Sequence, residues 1–253
     1  MLKIQNYLLI YQARKKTCDV KNINFRHKFM KVVILAGGFG TRLSEYTKTI
    51  PKPMIKIKGK PIIYYIMKQY AKYGYKDFYI ALGYKGHVLK KYFSKNKFKW
   101  KINLINTGLK TMTGGRLKRL EKYLKNEAFM LTYGDGVSNI NIKKLVNFHK
   151  RRKKKIALTI VRPPARFGVI KTKGNLVSYF KEKSKIDTGW INGGFFVIEP
   201  NFLKYIKNDN TYLEKEPLEK VCKEKELLAF KHKGYWQCID TKRDLDRFKK
   251  SLK

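Results

Sequence analysis

A short apolar run that leads into a glycine-rich turn constrains the fold of this chain more than any other stretch. Val32–Ala36 has the length of a buried strand, and three glycines follow within Gly37–Gly40. Glycines carry no Cβ atom, so consecutive backbone N–H groups can converge on an anion. Arg42 in the turn and Lys52 beyond it add positive charge. The stretch therefore predicts a phosphate-binding loop, with a turn that serves packing alone as the alternative.

The spacing of these glycines excludes two familiar phosphate loops. A dinucleotide fingerprint needs its third glycine where this chain has Leu43. No Gly-Lys-Ser or Gly-Lys-Thr follows to form a P-loop. If the loop binds phosphate, it belongs to another class of site.

Strand and helix patterns alternate through the first half of the chain. Apolar runs predict strands at 78–82, 102–105 and 129–133, and amphipathic patterns predict helices over 62–70 and 86–93. This alternation is typical of an α/β fold with a parallel sheet. Loops that follow successive strands, including the one that carries Asp135, should then meet at the carboxyl edge of the sheet.

Shorter strands follow in the second half of the chain and predict a mixed sheet there. Their apolar runs lie at 156–161, 167–171, 176–180 and 195–198. Thr211 and Glu214 have the spacing of a capping box, which predicts a helix that begins there and runs to Lys223. A last helix is expected over 241–252.

The charge of the chain is strongly positive. It has 59 Lys and Arg against 18 Asp and Glu, a formal net charge of +41. Such an excess is compatible with nucleic acid, an acidic membrane or an anionic small substrate. The lysines are spread through every segment, and the one dense run, Lys150–Lys155, is interpreted as a solvated loop. Because no zinc spacing, RNP-like stretch or helix-turn-helix pattern accompanies it, we expect no specific nucleic-acid partner.

Three further features of the sequence bear on its compartment and its domains. Cys18, Cys222 and Cys238 are too few and too scattered for a disulfide framework, so a reducing cytoplasm is expected. No apolar run reaches the length of a membrane span, and no membrane partner is expected. Residues 1–29 are polar and basic, and they are interpreted as an extension, disordered or added ahead of a functional start at Met30. A structured N-terminal helix is the alternative. Residues 30–253 are expected to form one domain.

Two of the few acidic residues stand where a metal ligand could act. Asp135 lies between glycines at the end of a predicted strand, and Asp240 precedes the last helix. Mg²⁺ bound together with substrate phosphates typically takes one or two carboxylates. Each residue also has a structural interpretation, as a turn residue or as a helix cap. No histidine pairs by spacing with a nucleophile, so a reaction in which one phosphate attacks another fits better than hydrolysis.

These segments together resemble a known family. The sequence LAGGFGTRL at 35–43, followed by PKPM at 51–54, is similar to the signature of sugar-1-phosphate nucleotidylyltransferases. Further motifs resemble the members of that family that use CTP and glucose 1-phosphate: TMTGGRLKR at 111–119, TYGDGVS at 132–138, FKEK at 180–183, INGGFF at 191–196, EPL at 216–218 and WQCIDTKRD at 236–244. The resemblance covers almost everything from Met30 to the last helix.

The resemblance implies a fold and a reaction. The fold is a three-layer Rossmann-like nucleotidyltransferase domain of the α/β class, with a mixed, mainly parallel central sheet. The reaction joins CTP and α-D-glucose 1-phosphate, with Mg²⁺, to give CDP-glucose and pyrophosphate for surface polysaccharide. CTP and the sugar 1-phosphate are then the partners, and a homo-oligomer is expected.

The resemblance also implies roles for individual residues. Arg42 and Lys52 match the catalytic cations, and Asp135 and Asp240 match the metal carboxylates. The residues that match nucleotide-binding positions are Leu35, Gly37, Gly38, Gly40, Thr41, Thr113, Gly114, Gly115 and Arg116. The residues that match sugar-binding positions are Glu182, Lys183, Asn192 and Gly193, with Lys183 at the sugar phosphate.

Three departures from the family pattern affect the sugar and the assembly. The connection at 94–101 is shorter than in cytidylyltransferases of this type, Ser184 stands where the family often has proline, and the chain ends early, at Lys253. Another sugar or polyol phosphate, or another nucleoside triphosphate, is therefore an alternative substrate. A basic protein that binds nucleic acid on a relic nucleotide fold is the alternative from a different class.

Overall fold

A computed structural model of the chain describes residues 30–163, 169–181 and 189–252. The predicted extension at 1–29 lies outside the described residues. Two of the predicted sugar-binding residues, Glu182 and Lys183, also lie outside them, and so does Ser184.

A seven-stranded mixed sheet forms the centre of the described structure. Its strands in chain order are β1 (Val32–Ala36), β4 (Asp77–Leu82), β5 (Lys101–Asn106), β6 (Phe129–Tyr133), β8 (Ile156–Val161), β11 (Ile191–Ile198) and β12 (Leu227–His232). They lie in the order β12-β8-β11-β6-β1-β4-β5. Only β11 is antiparallel to its neighbours, β6 and β8. The predicted α/β fold with a mainly parallel sheet is confirmed.

Helices cover both faces of this sheet because both faces of its strands are apolar. Alternate residues of β1 belong to two separate cores, Ile34 to one and Val33 to the other. The first core takes residues from α2 (Ile62–Ala71), α3 (Gly86–Lys95), α6 (Ile142–Arg152) and α8 (Lys242–Ser251). The second takes residues from α4 (Thr113–Lys118), α5 (Glu121–Leu124), a 3₁₀ helix (Pro200–Tyr205) and α7 (Glu216–Lys223). Three layers result.

Three two-stranded sheets complete the fold. They pair β2 (Lys56–Ile57) with β3 (Lys60–Pro61), β9 (Val169–Lys173) with β10 (Leu176–Lys181), and β7 (Gly136–Ser138) with β13 (Trp236–Cys238). Short helices lie at Thr41–Leu43 (3₁₀), Ser44–Thr47 (α1) and Lys52–Met54 (3₁₀). In the described part of the chain, no helix is long and apolar enough to cross a membrane.

The capping box predicted at Thr211 is wrong. The helix starts later, at Glu216, and the Thr211 hydroxyl accepts a hydrogen bond from the Asn208 N–H instead. The Glu214 carboxylate contacts distant side chains rather than the backbone of Thr211. A true capping box lies at the start of α8, where the Thr241 hydroxyl accepts from the N–H of Asp244 and the Asp244 carboxylate accepts from that of Thr241.

Candidate active site

Loops from several strands meet at one edge of the central sheet. The glycine loop follows β1, Gly83 follows β4, Thr107 follows β5 and Asp135 follows β6. Because β11 is antiparallel, its first residues reach the same edge, where Asn192 lies. A cavity of about 930 Å³ opens between these loops. This volume lies in the range of pockets that bind small ligands such as a nucleotide or a sugar phosphate.

The glycine loop has the geometry that its sequence predicts for a close approach of backbone to ligand. Gly40 has a φ of +68°, which favours glycine, and its carbonyl accepts hydrogen bonds from the Thr47 hydroxyl and the Leu43 N–H at 3.1 and 3.0 Å. A Cβ atom on Gly38 would meet no atom within 4 Å beyond those of its two chain neighbours. The backbone of Gly38 therefore faces open space in the cavity.

Four charged side chains form a neutral cluster beside this loop. The Lys52 ammonium lies between two carboxylates, 2.7 Å from Asp135 Oδ2 and 2.5 Å from Asp240 Oδ1. The Arg42 guanidinium lies 2.6 Å from the other oxygen of Asp240. Lys52 and Asp240 are buried, whereas the Arg42 side chain is 71% exposed. All four residues singled out by the sequence are thus brought together.

The cluster shifts the pKa values of Lys52 and Asp240. Burial alone would lower the pKa of the Lys52 ammonium, but Asp135 and Asp240 outweigh this effect and raise it. Burial alone would raise the pKa of Asp240, yet hydrogen bonding and attraction to Lys52, with smaller effects of Cys238 and Arg42, lower it. Both groups are therefore charged at neutral pH.

An antiparallel ladder brings the two carboxylates together. Strand β13 pairs with β7, so that Trp236 lies opposite Ser138, Gln237 opposite Val137 and Cys238 opposite Gly136. The Ile239 N–H then donates to the carbonyl of Asp135 at 3.0 Å. Asp135 therefore lies just before one strand of the ladder, and Asp240 lies just after the other.

The donor atoms around Lys52 suit a divalent cation. Oxygens of Asp135 and Asp240 and the sulfur of Cys238 lie within 4.8 Å of one another. The Lys52 ammonium between the carboxylates marks a position that is already favourable for positive charge. Hard carboxylate oxygens are the ligands that Mg²⁺ prefers. The Cys238 thiol donates to Asp240 at 3.3 Å, and burial raises its pKa, so it stays protonated.

The segment that matches the nucleotide base is engaged within the protein. The N–H groups of Gly114 and Gly115 donate to the carbonyl of Thr211 at 3.0 and 3.2 Å. Both glycines also permit close packing, because a Cβ atom on either would lie under 3.0 Å from backbone at 209–213. The Thr113 hydroxyl accepts from the N–H of Leu213 at 2.9 Å.

Arg116 lies beneath the glycine loop with its guanidinium pointing inward. One nitrogen donates to Gly108 O, Thr107 Oγ1 and Leu82 O at 2.7, 2.8 and 3.2 Å. The other donates to Gly37 O and Leu109 O at 3.0 and 3.2 Å. A Cβ atom on Gly37 would lie only 2.2 Å from this guanidinium. Arg116 thus ties the glycine loop to the loop after β5, and a direct contact with nucleotide stays a prediction.

The other side of the cavity contains residues that sequence reasoning missed. The Tyr133 hydroxyl donates to Glu214 Oε1 at 2.6 Å, and the Thr113 hydroxyl donates to Glu214 Oε2 at 2.6 Å. Asn192 Nδ2 lies 3.5 Å from the Tyr133 oxygen. Glu214 was hidden by its apparent capping-box spacing, and Tyr133 by its place in an apolar strand.

Gly193 lies at the bulge of β11 on the same side. Its carbonyl accepts from the indole N–H of Trp236 at 2.8 Å, and a Cβ atom on it would lie 2.9 Å from the carbonyl of Thr159. Leu35 and Thr41 line the cavity on the side of the glycine loop.

Comparisons with known proteins show what this chain is similar to. The nucleotidyl transferase family model matches residues 31–252. A glucose-1-phosphate cytidylyltransferase of Salmonella typhimurium is 48% identical, over 85% of this chain and 93% of its own. A probable glucose-1-phosphate cytidylyltransferase of Bacillus subtilis is 40% identical over the same shares. The crystal structure of HddC from Yersinia pseudotuberculosis complexed with GMP-PN is 27% identical, with a TM-score of 0.71, over 89% of this chain and all of that one.

The family match spans nearly all of the described residues, and the relatives align over most of their own length. This chain belongs to the nucleotidyl transferase family.

Proposed function

We propose that this protein transfers a cytidylyl group from CTP to α-D-glucose 1-phosphate and releases pyrophosphate. The observation that carries the proposal is the cluster of Arg42, Lys52, Asp135 and Asp240 beside an open glycine loop. The choice of CTP and glucose 1-phosphate is supported by the 48% identical relative that is named for that activity. The product, CDP-glucose, would serve surface polysaccharide synthesis in the cytoplasm.

The reaction needs no nucleophile from the protein. A phosphate oxygen of glucose 1-phosphate attacks the α-phosphorus of CTP, and the bond from that phosphorus to the β-phosphate bridging oxygen breaks. Negative charge moves onto the leaving pyrophosphate, so the protein must align the reactants and offset that charge. The described site supplies cations, backbone N–H groups and carboxylates, which are the groups that this chemistry uses.

Lys52 and Arg42 are two of the cationic side chains that line the cavity, and both lie beside the glycine loop. Each is paired with a carboxylate and lies beside the glycine loop, so each can exchange that partner for a phosphate oxygen. The open backbone at Gly38 gives the triphosphate a place to approach. We assign the charge offset to Lys52 and Arg42, and the contact with the sugar to Asn192 at the opposite side of the cavity.

Asp135 and Asp240 would hold Mg²⁺, which when bound neutralises charge on the triphosphate and on the pyrophosphate. The family generally uses a divalent metal. The chain contributes the fixed spacing of the two carboxylates, which the ladder between β7 and β13 sets.

A pyrophosphate-release assay with each nucleoside triphosphate and a panel of sugar 1-phosphates tests the proposal. We expect release with CTP and glucose 1-phosphate in the presence of Mg²⁺. Asp135→Asn should abolish release, whereas Asp246→Asn, at an exposed carboxylate outside the cavity, should not. Release with UTP or dTTP but not with CTP would refute the choice of base, and full activity of Asp135→Asn would refute the metal assignment.

A further inference from the structure

A chain of hydrogen bonds crosses the cavity from the nucleotide side to the sugar side. We call Thr113, Glu214, Tyr133 and Asn192 the Glu214 network. Glu214 accepts one hydrogen bond from the Thr113 hydroxyl and one from the Tyr133 hydroxyl, both at 2.6 Å. In the described part of this basic protein, no lysine or arginine pairs with Glu214. Its carboxylate therefore orients two hydroxyl groups rather than neutralising a cation.

The network fixes which way the hydroxyl of Tyr133 points. A phenol can donate one hydrogen bond, and the Tyr133 hydroxyl donates it to Glu214. The oxygen of Tyr133 is left as an acceptor. The ring is also held in place, since it packs edge-on against Phe196.

A backbone N–H group fixes the amide of Asn192. Its oxygen accepts from the N–H of Gly194 at 2.7 Å, so its nitrogen faces the oxygen of Tyr133. The separation of 3.5 Å between these two atoms is at the limit of a hydrogen bond. The Tyr133 oxygen, an acceptor, and Asn192 Nδ2, a donor, thus lie side by side. The hydrogen bond between them is weak.

A sugar hydroxyl both donates and accepts, so it complements this pair of atoms. We infer that Tyr133, oriented by Glu214, and Asn192, oriented by the Gly194 N–H, bind one hydroxyl group of the sugar 1-phosphate and select sugars that carry it. Tyr133 would touch the substrate, and Glu214 would act as a positioning residue through Tyr133. The inference rests on the proposed function only for the class of substrate.

Monodeoxy analogues of the sugar 1-phosphate test this inference. In the wild type, loss of the hydroxyl that the pair binds should raise KM about tenfold, since one hydrogen bond is lost and one site group is left unpaired. Tyr133→Phe should raise KM about tenfold for the parent sugar. The sensitive deoxy analogue should then be no poorer than the parent, while the other deoxy analogues keep their wild-type ratios.

Glu214→Gln tests whether Glu214 acts by orienting the Tyr133 hydroxyl, because glutamine has nearly the same size as glutamate. The glutamine amide can donate to the Tyr133 oxygen and so occupy the acceptor, which should remove the preference for the parent sugar. The matched control is Glu219→Gln, at an exposed glutamate of α7 outside the cavity, which should change nothing. Melting temperatures of all variants show whether each one folds.

The outcomes distinguish this inference from the proposed function. Wild-type turnover with CTP and glucose 1-phosphate tests the function, and the analogue comparison uses whichever sugar 1-phosphate the wild type accepts. The inference is overturned if Tyr133→Phe raises KM equally for the parent and for every deoxy analogue. It is also overturned if Glu214→Gln lowers kcat and leaves the ratios between sugars unchanged.

Discussion

Replacement of Arg116 by methionine tests whether this residue acts through the loops or on the nucleotide. The side chain keeps a similar length but loses every donor. Gly37 O and Leu82 O keep other donors after the change, namely the N–H groups of Tyr84 and Thr107. Among the described contacts, the carbonyls of Gly108 and Leu109 keep none.

The expected loss in the free energy of unfolding comes from the hydrogen bonds to those two carbonyls. A hydrogen bond from a charged donor contributes about 1.5–3 kcal/mol, so two such bonds correspond to roughly 3–6 kcal/mol. Burial and the nearby Arg119 lower the pKa of Arg116, which means that the buried charge itself is disfavoured. Removal of that charge offsets part of the loss. We therefore expect Arg116→Met to lower the free energy of unfolding by about 3 kcal/mol.

Urea unfolding and nucleotide kinetics measured on the same variant provide the test. The unfolding midpoint should fall, and KM for CTP should rise because the glycine loop loses its tether to the loop after β5. Arg116→Lys keeps the charge with three donors at one point, so an intermediate result is expected. An unchanged midpoint with a large rise in KM would refute this reasoning and would make Arg116 a direct nucleotide ligand.

Three further results are expected. Gly37→Ala should lower stability because its Cβ atom would collide with Arg116, whereas Gly38→Ala should melt like the wild type and raise only KM for CTP; equal melting temperatures would contradict this. Lys52→Gln should have a lower melting temperature than the wild type in metal-free buffer, since the ammonium no longer separates Asp135 and Asp240. Added MgCl₂ should raise the melting temperature of the variant more than that of the wild type. An equal rise would count against a position that the ammonium and Mg²⁺ share. Burial lowers the pKa of His149, so the unfolded chain binds a proton at this residue more readily than the folded chain does. The free energy of unfolding should therefore fall as the pH drops below about 6.5, by at most about 1.4 kcal/mol per pH unit. His149→Gln should reduce this dependence on pH.

Local features of the sequence predicted the frame of the site well. The buried strand Val32–Ala36 and its glycine turn depend on neighbouring residues, and the structure has both. The meeting of Asp135 and Asp240 came from family resemblance, because nothing local pairs residues so far apart. The bridge that Lys52 makes between them depends on tertiary packing and has no signature in the sequence.

The error at the capping box has a physical cause. Thr211 and Glu214 have capping-box spacing, but Glu214 gains two short hydrogen bonds from distant hydroxyl groups and leaves the backbone. Gly114 and Gly115 also have a long-range partner, since their N–H groups donate to the carbonyl of Thr211, and a contact of the segment at 113–116 with the nucleotide stays a prediction. One sequence cannot show which distant partner will be near.

The ladder between β7 and β13 has a consequence for the order in which the protein is made and folds. Its strands flank nearly the whole second half of the chain, including three strands of the central sheet. During synthesis, Asp135 emerges long before Asp240, so the glycine loop can form while its second carboxylate is still missing. Contacts between residues so distant in sequence form slowly. Phosphate chemistry should therefore be the last property that the folding chain acquires.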